Sequence, residues 1–209
     1  MKVIAFNGSP HKNGTTHRGI MTMAEELERG GISTELVWVG NKEIRGCMGC
    51  GKCREQRACV FDDDPVNQSR NKVNEADGII LGSPVYYGGI AGTFKCFLDR
   101  LFFPGIDLKF KAGATAAALR RSGGVTVFHQ LNNYLHLAQA VITPGFYWGA
   151  IHGNNAEEAL QDEEGMLLMR TMGRNMAWLL KALETGKKAL PYPSEEKMVR
   201  TNFIRAEGV

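Results

Sequence analysis

The N-terminal segment combines a short apolar run with a turn rich in glycine, serine and threonine. Lys2 to Asn7 forms the run, and residues 8–16 form the turn that leads into apolar residues at helical spacing. A run without polar alternation is typical of a strand buried on both faces of a parallel sheet. Where such a strand enters a helix through this kind of turn, backbone N–H groups and the helix dipole favour an anion. The sequence therefore predicts a βα unit with an anion site at its turn.

Strands and helices alternate along the rest of the chain. The apolar runs predict strands at residues 2–7, 33–39, 78–82, 112–119 and 140–147. Helical spacing follows the runs, with Pro65 opening a short helix and a long helix near the end. This alternation indicates an α/β fold with a parallel sheet. Five strands suit a flavodoxin-like, doubly wound sheet in the order 2-1-3-4-5, whose ligands bind at the carboxyl ends of the strands.

The length of 209 residues suits one domain with an extension. We predict a domain at 1–188 that contains a cysteine-rich insert at about 40–64. Residues 189–209 form the predicted extension, and their apolar positions, with those of the methionine-rich helix before them, suggest subunit contacts. We therefore expect a homodimer or homotetramer.

Composition excludes several classes of partner. The net charge of +3 is small and evenly spread, so we expect no nucleic-acid partner. No run approaches the roughly 20 apolar residues of a membrane helix, and the N-terminus has no secretory pattern. We expect a cytoplasmic protein with no membrane partner. A reducing compartment favours metal ligation or redox chemistry over structural disulfides for its five cysteines.

The turn after the first strand offers several donors to a phosphate. Its candidate donors are Ser9, Asn13, Thr15 and Thr16. A Walker A loop would need a lysine where Thr15 stands, and the second predicted strand lacks the acid that a dinucleotide site requires. The alternative interpretation is an ordinary turn with a helix cap.

The loop after the third strand has the features of a site for a flat heterocycle. Residues 83–89 hold a rigid Pro84, two tyrosines and two glycines. Such a loop can place N–H groups against the edge of a ring system while an aromatic side chain packs on its face. The alternative is a Pro/Gly turn with two core tyrosines.

Three motifs together carry a family resemblance. They are Asn7-Gly8-Ser9-Pro10 through Thr16, Gly82-Ser83-Pro84-Val85-Tyr86, and Phe97-Leu98-Asp99-Arg100. The chain resembles the NAD(P)H-dependent FMN reductase family, and the cysteine-rich insert resembles that of the iron-sulfur flavoprotein branch. The likeness is clear over about residues 1–119.

The resemblance implies FMN and a set of residues to hold it. The implied FMN-binding residues are Ser9, Pro10, Asn13, Thr15, Thr16, Pro84, Val85, Tyr86, Tyr87, Gly88, Ser122 and Gly123. The phosphate would lie at Ser9, Asn13, Thr15 and Thr16, and the isoalloxazine ring at residues 84–88. The loop with Ser122 and Gly123 would approach the other side of the ring. Asp99 and Arg100 are expected to fasten their helix to the sheet.

The cysteine-rich insert places four thiols within 13 residues, as Cys47-x2-Cys50-x2-Cys53-x5-Cys59. Close spacing lets one loop wrap a compact inorganic core. A [4Fe-4S] cluster, reduced thiols without a cluster, and structural zinc all remain open, although zinc ribbons usually separate their pairs more widely. Cys96, on an apolar helix, is expected to be a core residue.

A flavin would carry the chemistry, so no catalytic side chain is expected. The predicted function is an FMN-dependent oxidoreductase that passes electrons from NAD(P)H or a ferredoxin-type donor to a quinone, nitro-compound, flavin or other small acceptor. An electron carrier between proteins is the alternative, and a thiol-based redox sensor is a third.

Overall fold

The computed structural model describes residues 1–197 and 199. The strands of this part are β1 (Lys2–Asn7), β2 (Ser33–Trp38), β3 (Gly78–Tyr86), β4 (Gly89–Ile90), β5 (Ala112–Leu119), β6 (Val141–Ile142) and β7 (Ala150–His152). The helices are α1 (Thr15–Arg29), α2 (Cys53–Gln56), α3 (Val66–Glu75), α4 (Gly92–Phe102), α5 (Gly124–Leu137), α6 (Ala156–Ala159) and α7 (Glu163–Ala189).

The sheet has the predicted order. Its strands run β2-β1-β3-β5-β6, and all neighbours in this series are parallel. The short β4 pairs antiparallel with the end of β3. The prediction of a five-stranded, flavodoxin-like parallel sheet is confirmed. The third strand is longer than predicted, because Ser83 and Pro84 continue the pairing with β5.

The last predicted strand, at residues 140–147, is wrong in extent. The structure divides it into β6 and β7, which pair with opposite ends of β5. Sheet hydrogen bonds stop after Thr143 N, which donates to Gly113 O, and resume where Ala117 N donates to Gly149 O. Pro144 has no N–H to offer a neighbouring strand, so the chain leaves the sheet there.

Two apolar layers cover the sheet. Val3 and Ala5 of β1 face α1 and α7, whereas Ile4 and Phe6 face the layer formed by α3, α4 and α5. The alanines of β5 leave space on the first face, and Met169, Met172 and Met176 of α7 fill it. Flexible methionine side chains suit such irregular space.

Residues Asp99 and Arg100 do not fasten α4 to the sheet, which corrects that prediction. The Tyr134 hydroxyl of α5 donates to Asp99, so Asp99 joins two helices of one layer. The Arg100 guanidinium instead enters the cysteine-rich insert. Within the insert, residues 53–56 form α2 and the remaining segments are irregular.

The described part of the predicted extension returns to the body of the protein. Tyr192 stacks on Phe110 with ring centroids 5.6 Å apart, and Glu195 pairs with Lys109 at 2.6 Å. Residue 198 and residues 200–209 of that extension lie outside the described residues. Among the helices that the structure describes, none is both long and apolar enough to span a membrane.

Candidate functional site

A cavity of about 530 Å³ opens at the carboxyl ends of β1, β3 and β5. This is the edge at which open α/β sheets bind their ligands. The lining residues are Ser9, His11, Lys12, Asn13, Gly14, Thr15, Thr16, Pro84, Val85, Tyr86, Ala118, Leu119, Arg120, Gly153, Asn154, Asn155, Ala156 and Glu157. The structure therefore brings the turn after β1 and the end of β3 to one cavity, as the sequence predicts.

Side chains of the turn itself hold the loop after β1 in shape. Asn7 Nδ2 donates to Lys12 O at 3.0 Å, and Asn7 Oδ1 accepts from Ser9 N at 3.0 Å. The Ser9 hydroxyl accepts from His11 N at 3.2 Å and keeps its own proton to donate. These hydrogen bonds within the protein order the loop. The Ser9 hydroxyl remains free to donate a hydrogen bond at the cavity wall.

Neighbouring segments restrain this loop from outside. Trp38 Nε1 donates to Ser9 O at 2.9 Å. A Cβ on Gly40 would stand only 2.0 Å from Ser9 O, and a Cβ on Gly8 only 2.2 Å from Cγ of Phe94. Side chains at these two glycines would clash with backbone or with a buried ring, so the close approach requires glycine.

The N-terminus of α1 lines the cavity, and no side chain of the described residues caps it or neutralises its helix dipole. Gly14 is the N-cap residue, no side chain caps the helix, and its first turn contains no acid. An uncapped helix N-terminus favours an anion through its N–H groups and dipole. Burial lowers the pKa of nearby His17, and Arg18 and Lys12 lower it further.

The Thr15 hydroxyl, at the wall of the cavity, contacts two backbone carbonyls. Its Oγ1 donates to Gly153 O at 2.9 Å and Asn155 O at 3.0 Å, so its single proton is shared between two carbonyls. The side chain therefore ties the segment after β7 to the start of α1. That segment brings Asn154, Asn155 and Glu157 to the cavity, and the sequence analysis did not identify these residues. These residues follow β7, a strand of three residues that the sequence analysis did not predict.

The predicted ring loops divide between two places. Pro84, Val85 and Tyr86 line the large cavity, whereas Pro10, Tyr87 and Gly88 do not. Tyr87 is fully exposed at the β3–β4 turn, with a φ of +51°. Ser122 and Gly123 line a smaller cavity nearby. A Cβ on Gly123 would stand 2.9 Å from Cγ1 of Val85, so the two loops are in close contact.

Cys47, Cys50, Cys53 and Cys59 line one small cavity of about 20 Å³. Cys53 is buried, and Cys47 and Cys50 are exposed. Burial raises the pKa of the Cys53 thiol, and the other three cysteines raise it further. All four sequence-predicted ligands thus line one small cavity. Cys96 does not line this cavity, and it is partly exposed rather than buried in the core, which corrects the expectation of a core residue.

The buried Arg100 side chain of α4 contacts the cysteine-rich insert. Its Nε donates to Cys59 Sγ at 3.2 Å, its Nη2 donates to Phe61 O at 3.0 Å, and its guanidinium pairs with Asp64. The Arg100 and Asp64 side chains are only 1% and 4% exposed. Within residues 1–197 and 199, no three His, Cys, Asp or Glu side chains are arranged to hold a single metal ion.

The sequence of this chain is similar to those of known proteins. The sequence model described as NADPH-dependent FMN reductase matches residues 1–155. The chain belongs to the NADPH-dependent FMN reductase family. This confirms the resemblance inferred from the motifs, and the matched region includes the loop after β1, the end of β3 and the cysteine-rich insert.

Relatives of this family member include iron-sulfur flavoproteins from archaea. One from Methanocaldococcus jannaschii is 32% identical over 193 residues, covering 88% of this chain and 100% of the relative. One from Methanosarcina thermophila is 30% identical over 193 residues, covering 90% and 99%.

Solved structures share the fold of this reductase-family chain. RosB, in a structure with 8-demethyl-8-formylriboflavin-5'-phosphate bound, has a TM-score of 0.68 at 18% identity, covering 100% of this chain and 96% of RosB. An apo NADH:FMN oxidoreductase has a TM-score of 0.54 at 19% identity, covering 92% and 91%. At these identities the likeness concerns the fold alone.

Proposed function

We propose that this protein binds FMN in the 530 Å³ cavity and passes electrons from NAD(P)H or a ferredoxin-type donor to a small acceptor. The observation that carries the proposal is the uncapped N-terminus of α1, which lines this cavity beside the free Ser9 hydroxyl. Both favour a phosphate, and Pro84, Val85 and Tyr86 supply a wall for a ring system at the other end.

We propose a role for each of the residues at this cavity. Ser9, Asn13 and Thr16 are proposed to bind the phosphate together with N–H groups of the first turn of α1. Thr15 is proposed to act through its hydrogen bonds to the segment after β7. Leu119 and Arg120, at the end of β5, line the same cavity and are proposed to complete the ring site. Pro10, Tyr87, Gly88, Ser122 and Gly123 stay proposed FMN contacts beside these walls.

The four cysteines are proposed to hold a [4Fe-4S] cluster. They line one cavity, and Arg100 donates to Cys59 Sγ, as suits a thiolate ligand of an anionic cluster. The close spacing of the four cysteines favours a compact polynuclear centre over structural zinc, whose ribbons usually separate their cysteine pairs more widely. The relatives named iron-sulfur flavoproteins support the same assignment.

Bound FMN would supply the electron-transfer chemistry at this site. The side chains of the protein orient and shield it. The braced loop at residues 7–14 fixes the phosphate end, and the contact between Gly123 and Val85 holds the two ring loops together. A preorganised site of this kind reduces the entropy that binding costs.

An electron carrier between proteins is the second candidate. Cys47 and Cys50 are exposed, so a cluster at these thiols would be accessible to a protein partner. Anaerobic turnover of NAD(P)H with a quinone supports the oxidoreductase. No turnover, together with rapid reduction by ferredoxin, would overturn it in favour of the carrier.

We also propose that residues 1–188 form the FMN-binding domain and that residues 189–209 contribute to a homodimer or homotetramer. Leu167, Trp178 and Leu190 on and after α7 are large exposed apolar side chains, in support of subunit contacts. Light scattering after gel filtration tests this proposal, and a monomer mass would overturn it.

A further inference from the structure

Cys59 is held in place by side chains from two helices. Asn67 of α3 accepts a hydrogen bond from Cys59 N at 2.9 Å and donates one to Cys59 O at 2.9 Å. Arg100 of α4 donates from Nε to Cys59 Sγ at 3.2 Å. Cys47 and Cys50 are exposed, whereas Cys59 is partly buried. The structure therefore fixes both the backbone and the sulfur of Cys59 relative to Arg100.

Arg100 places a buried positive charge in the wall of the cysteine cavity. It lines that cavity together with the four cysteines, and its side chain is only 1% exposed. A guanidinium keeps its charge throughout the physiological pH range. Burial also leaves this charge poorly screened by salt. Arg100 therefore interacts strongly with any negative charge that is held at the four thiols.

Several contacts fix the plane of the Arg100 guanidinium. Its Nη1 donates to Arg45 O at 3.2 Å, and its Nη2 donates to Phe61 O at 3.0 Å. The Cζ atoms of Arg100 and Arg45 lie 5.4 and 4.5 Å from the centroid of the Phe61 ring. Because the guanidinium is planar, these partners also fix the direction of its Nε–H toward Cys59.

Asp64 opposes the charge of Arg100. The carboxylate pairs with the Arg100 guanidinium, and its side chain is only 4% exposed. Of this buried pair, Arg100 lines the cysteine cavity and Asp64 does not. The four thiols therefore lie closer to the positive member of the pair, and the carboxylate offsets part of its charge.

We propose that Arg100 raises the reduction potential of the [4Fe-4S] cluster at the four cysteines and that Asp64 limits this increase. The inference rests on the proposed function, because it requires that cluster. The reduced form of a cluster carries one more negative charge than the oxidised form. Hydrogen bonds to cysteine sulfur and nearby positive charge stabilise the reduced form, and a nearby carboxylate destabilises it. Arg100 acts through Cys59 and is a positioning residue.

The test measures the midpoint potential of the cluster in two variants by anaerobic redox titration, followed by EPR of the reduced cluster. Arg100→Lys keeps a positive charge beside Asp64 but removes the planar donor to Cys59. At a fixed potential its ratio of reduced to oxidised cluster is expected to fall at least tenfold, a decrease of about 59 mV for one electron. Asp64→Asn removes the negative charge and keeps Arg100, so its ratio is expected to rise at least threefold.

The control is Arg54→Gln, which removes an exposed positive charge from the same insert. Its ratio is expected to stay within twofold of wild type. The midpoint of a titration does not depend on how many molecules carry a cluster, so partial loss of iron in a variant leaves the measurement valid. Each variant has its own predicted sign, and either one alone tests the proposal.

A purely structural role of the Arg100–Asp64 pair predicts a different result. Iron content would then fall in both variants while the midpoint of the remaining cluster stayed at the wild-type value, and this result would overturn the proposal. Shifts of the same sign in both variants would also overturn it, as would a wild-type protein that binds FMN but assembles no cluster. A wild-type protein that assembles the cluster but binds no FMN counts against the proposed function instead, and the two potentials still decide this inference.

Discussion

Arg100 Nε donates a hydrogen bond to Cys59 Sγ at 3.2 Å, although the two residues are 41 positions apart in sequence. The same guanidinium pairs with Asp64 and is almost entirely buried. The cysteine-rich insert is therefore anchored to α4 through one side chain. Any group bound by the four cysteines depends on this anchor.

Replacing Arg100 by Gln is expected to damage both the fold and the thiol site. The change leaves the Asp64 carboxylate buried without its partner, which costs about 3–5 kcal/mol in free energy of unfolding. It also removes the donor to Cys59 Sγ. We predict a lower denaturation midpoint and at least a twofold loss of iron per chain after anaerobic reconstitution.

The matched control is Arg54→Gln, which removes a positive charge from the same insert at an exposed position. It is expected to retain wild-type stability within about 0.5 kcal/mol and wild-type iron content. Equal iron loss in both variants would show that charge, and not the buried hydrogen bonds of Arg100, governs the site.

Thr15→Val is expected to weaken FMN binding by about tenfold. The change keeps the shape of the side chain but removes the hydrogen bonds to Gly153 O and Asn155 O, which are together worth about 1–2 kcal/mol. The segment after β7 then loses its attachment to α1. Fluorescence titration of the flavin-free protein with FMN measures the effect.

Thr15→Ser is the control for that titration, because serine retains the hydroxyl. It should bind FMN within threefold of wild type. A loss as large for serine as for valine would show that the site is sensitive to any change of this side chain, and would contradict the role assigned to the hydroxyl.

Gly40→Ala is expected to disturb the loop after β1 from outside the cavity. Its Cβ would stand 2.0 Å from Ser9 O, so the backbone must move. We predict destabilisation by about 1–3 kcal/mol and FMN binding at least tenfold weaker. Gly186→Ala in α7 meets no atom within 4 Å and is expected to stabilise the helix by up to about 1 kcal/mol, with FMN affinity unchanged. Similar effects from both variants would exclude the proposed contact.

Stability of the flavin-free protein is expected to fall in mild acid because of His17. Its pKa is lowered in the folded protein, mainly by burial. The unfolded chain therefore binds the proton more readily, so stability is fully present above the unfolded value of 6.5 and declines as pH falls below it. Urea unfolding at pH 7.5 and 5.5 measures the decline. It should be smaller in His17→Gln and unchanged in His136→Gln, and an equal decline in all three proteins would contradict the prediction.

The sheet order and the main cavity could be predicted because their signals are local. Buried parallel strands appear in the sequence as apolar runs. The candidate hydrogen-bond donors of the turn after β1 lie within ten consecutive residues. The apolar run at residues 140–147 predicted one continuous fifth strand, but Pro144 interrupts it. β7, with three residues, is too short for periodicity to reveal.

Long-range partners account for the remaining differences. The place of Thr15 in the turn predicts a phosphate donor, but it cannot reveal the hydrogen bonds of its hydroxyl to carbonyls 138 and 140 positions away. Arg100 was assigned to the sheet, but it reaches a segment that periodicity cannot locate. In both cases a side chain's partner is decided by tertiary packing, which a local pattern does not contain.

We propose that this chain holds FMN together with a [4Fe-4S] cluster. An anaerobic absorbance spectrum of the purified protein, combined with analysis of flavin, iron and sulfide, tests both cofactors at once. We expect flavin bands from about one FMN per chain, with added broad absorbance from about four irons and four sulfides. A protein that takes up no flavin from excess FMN, or that contains zinc or no metal at its thiols after anaerobic reconstitution, would contradict it.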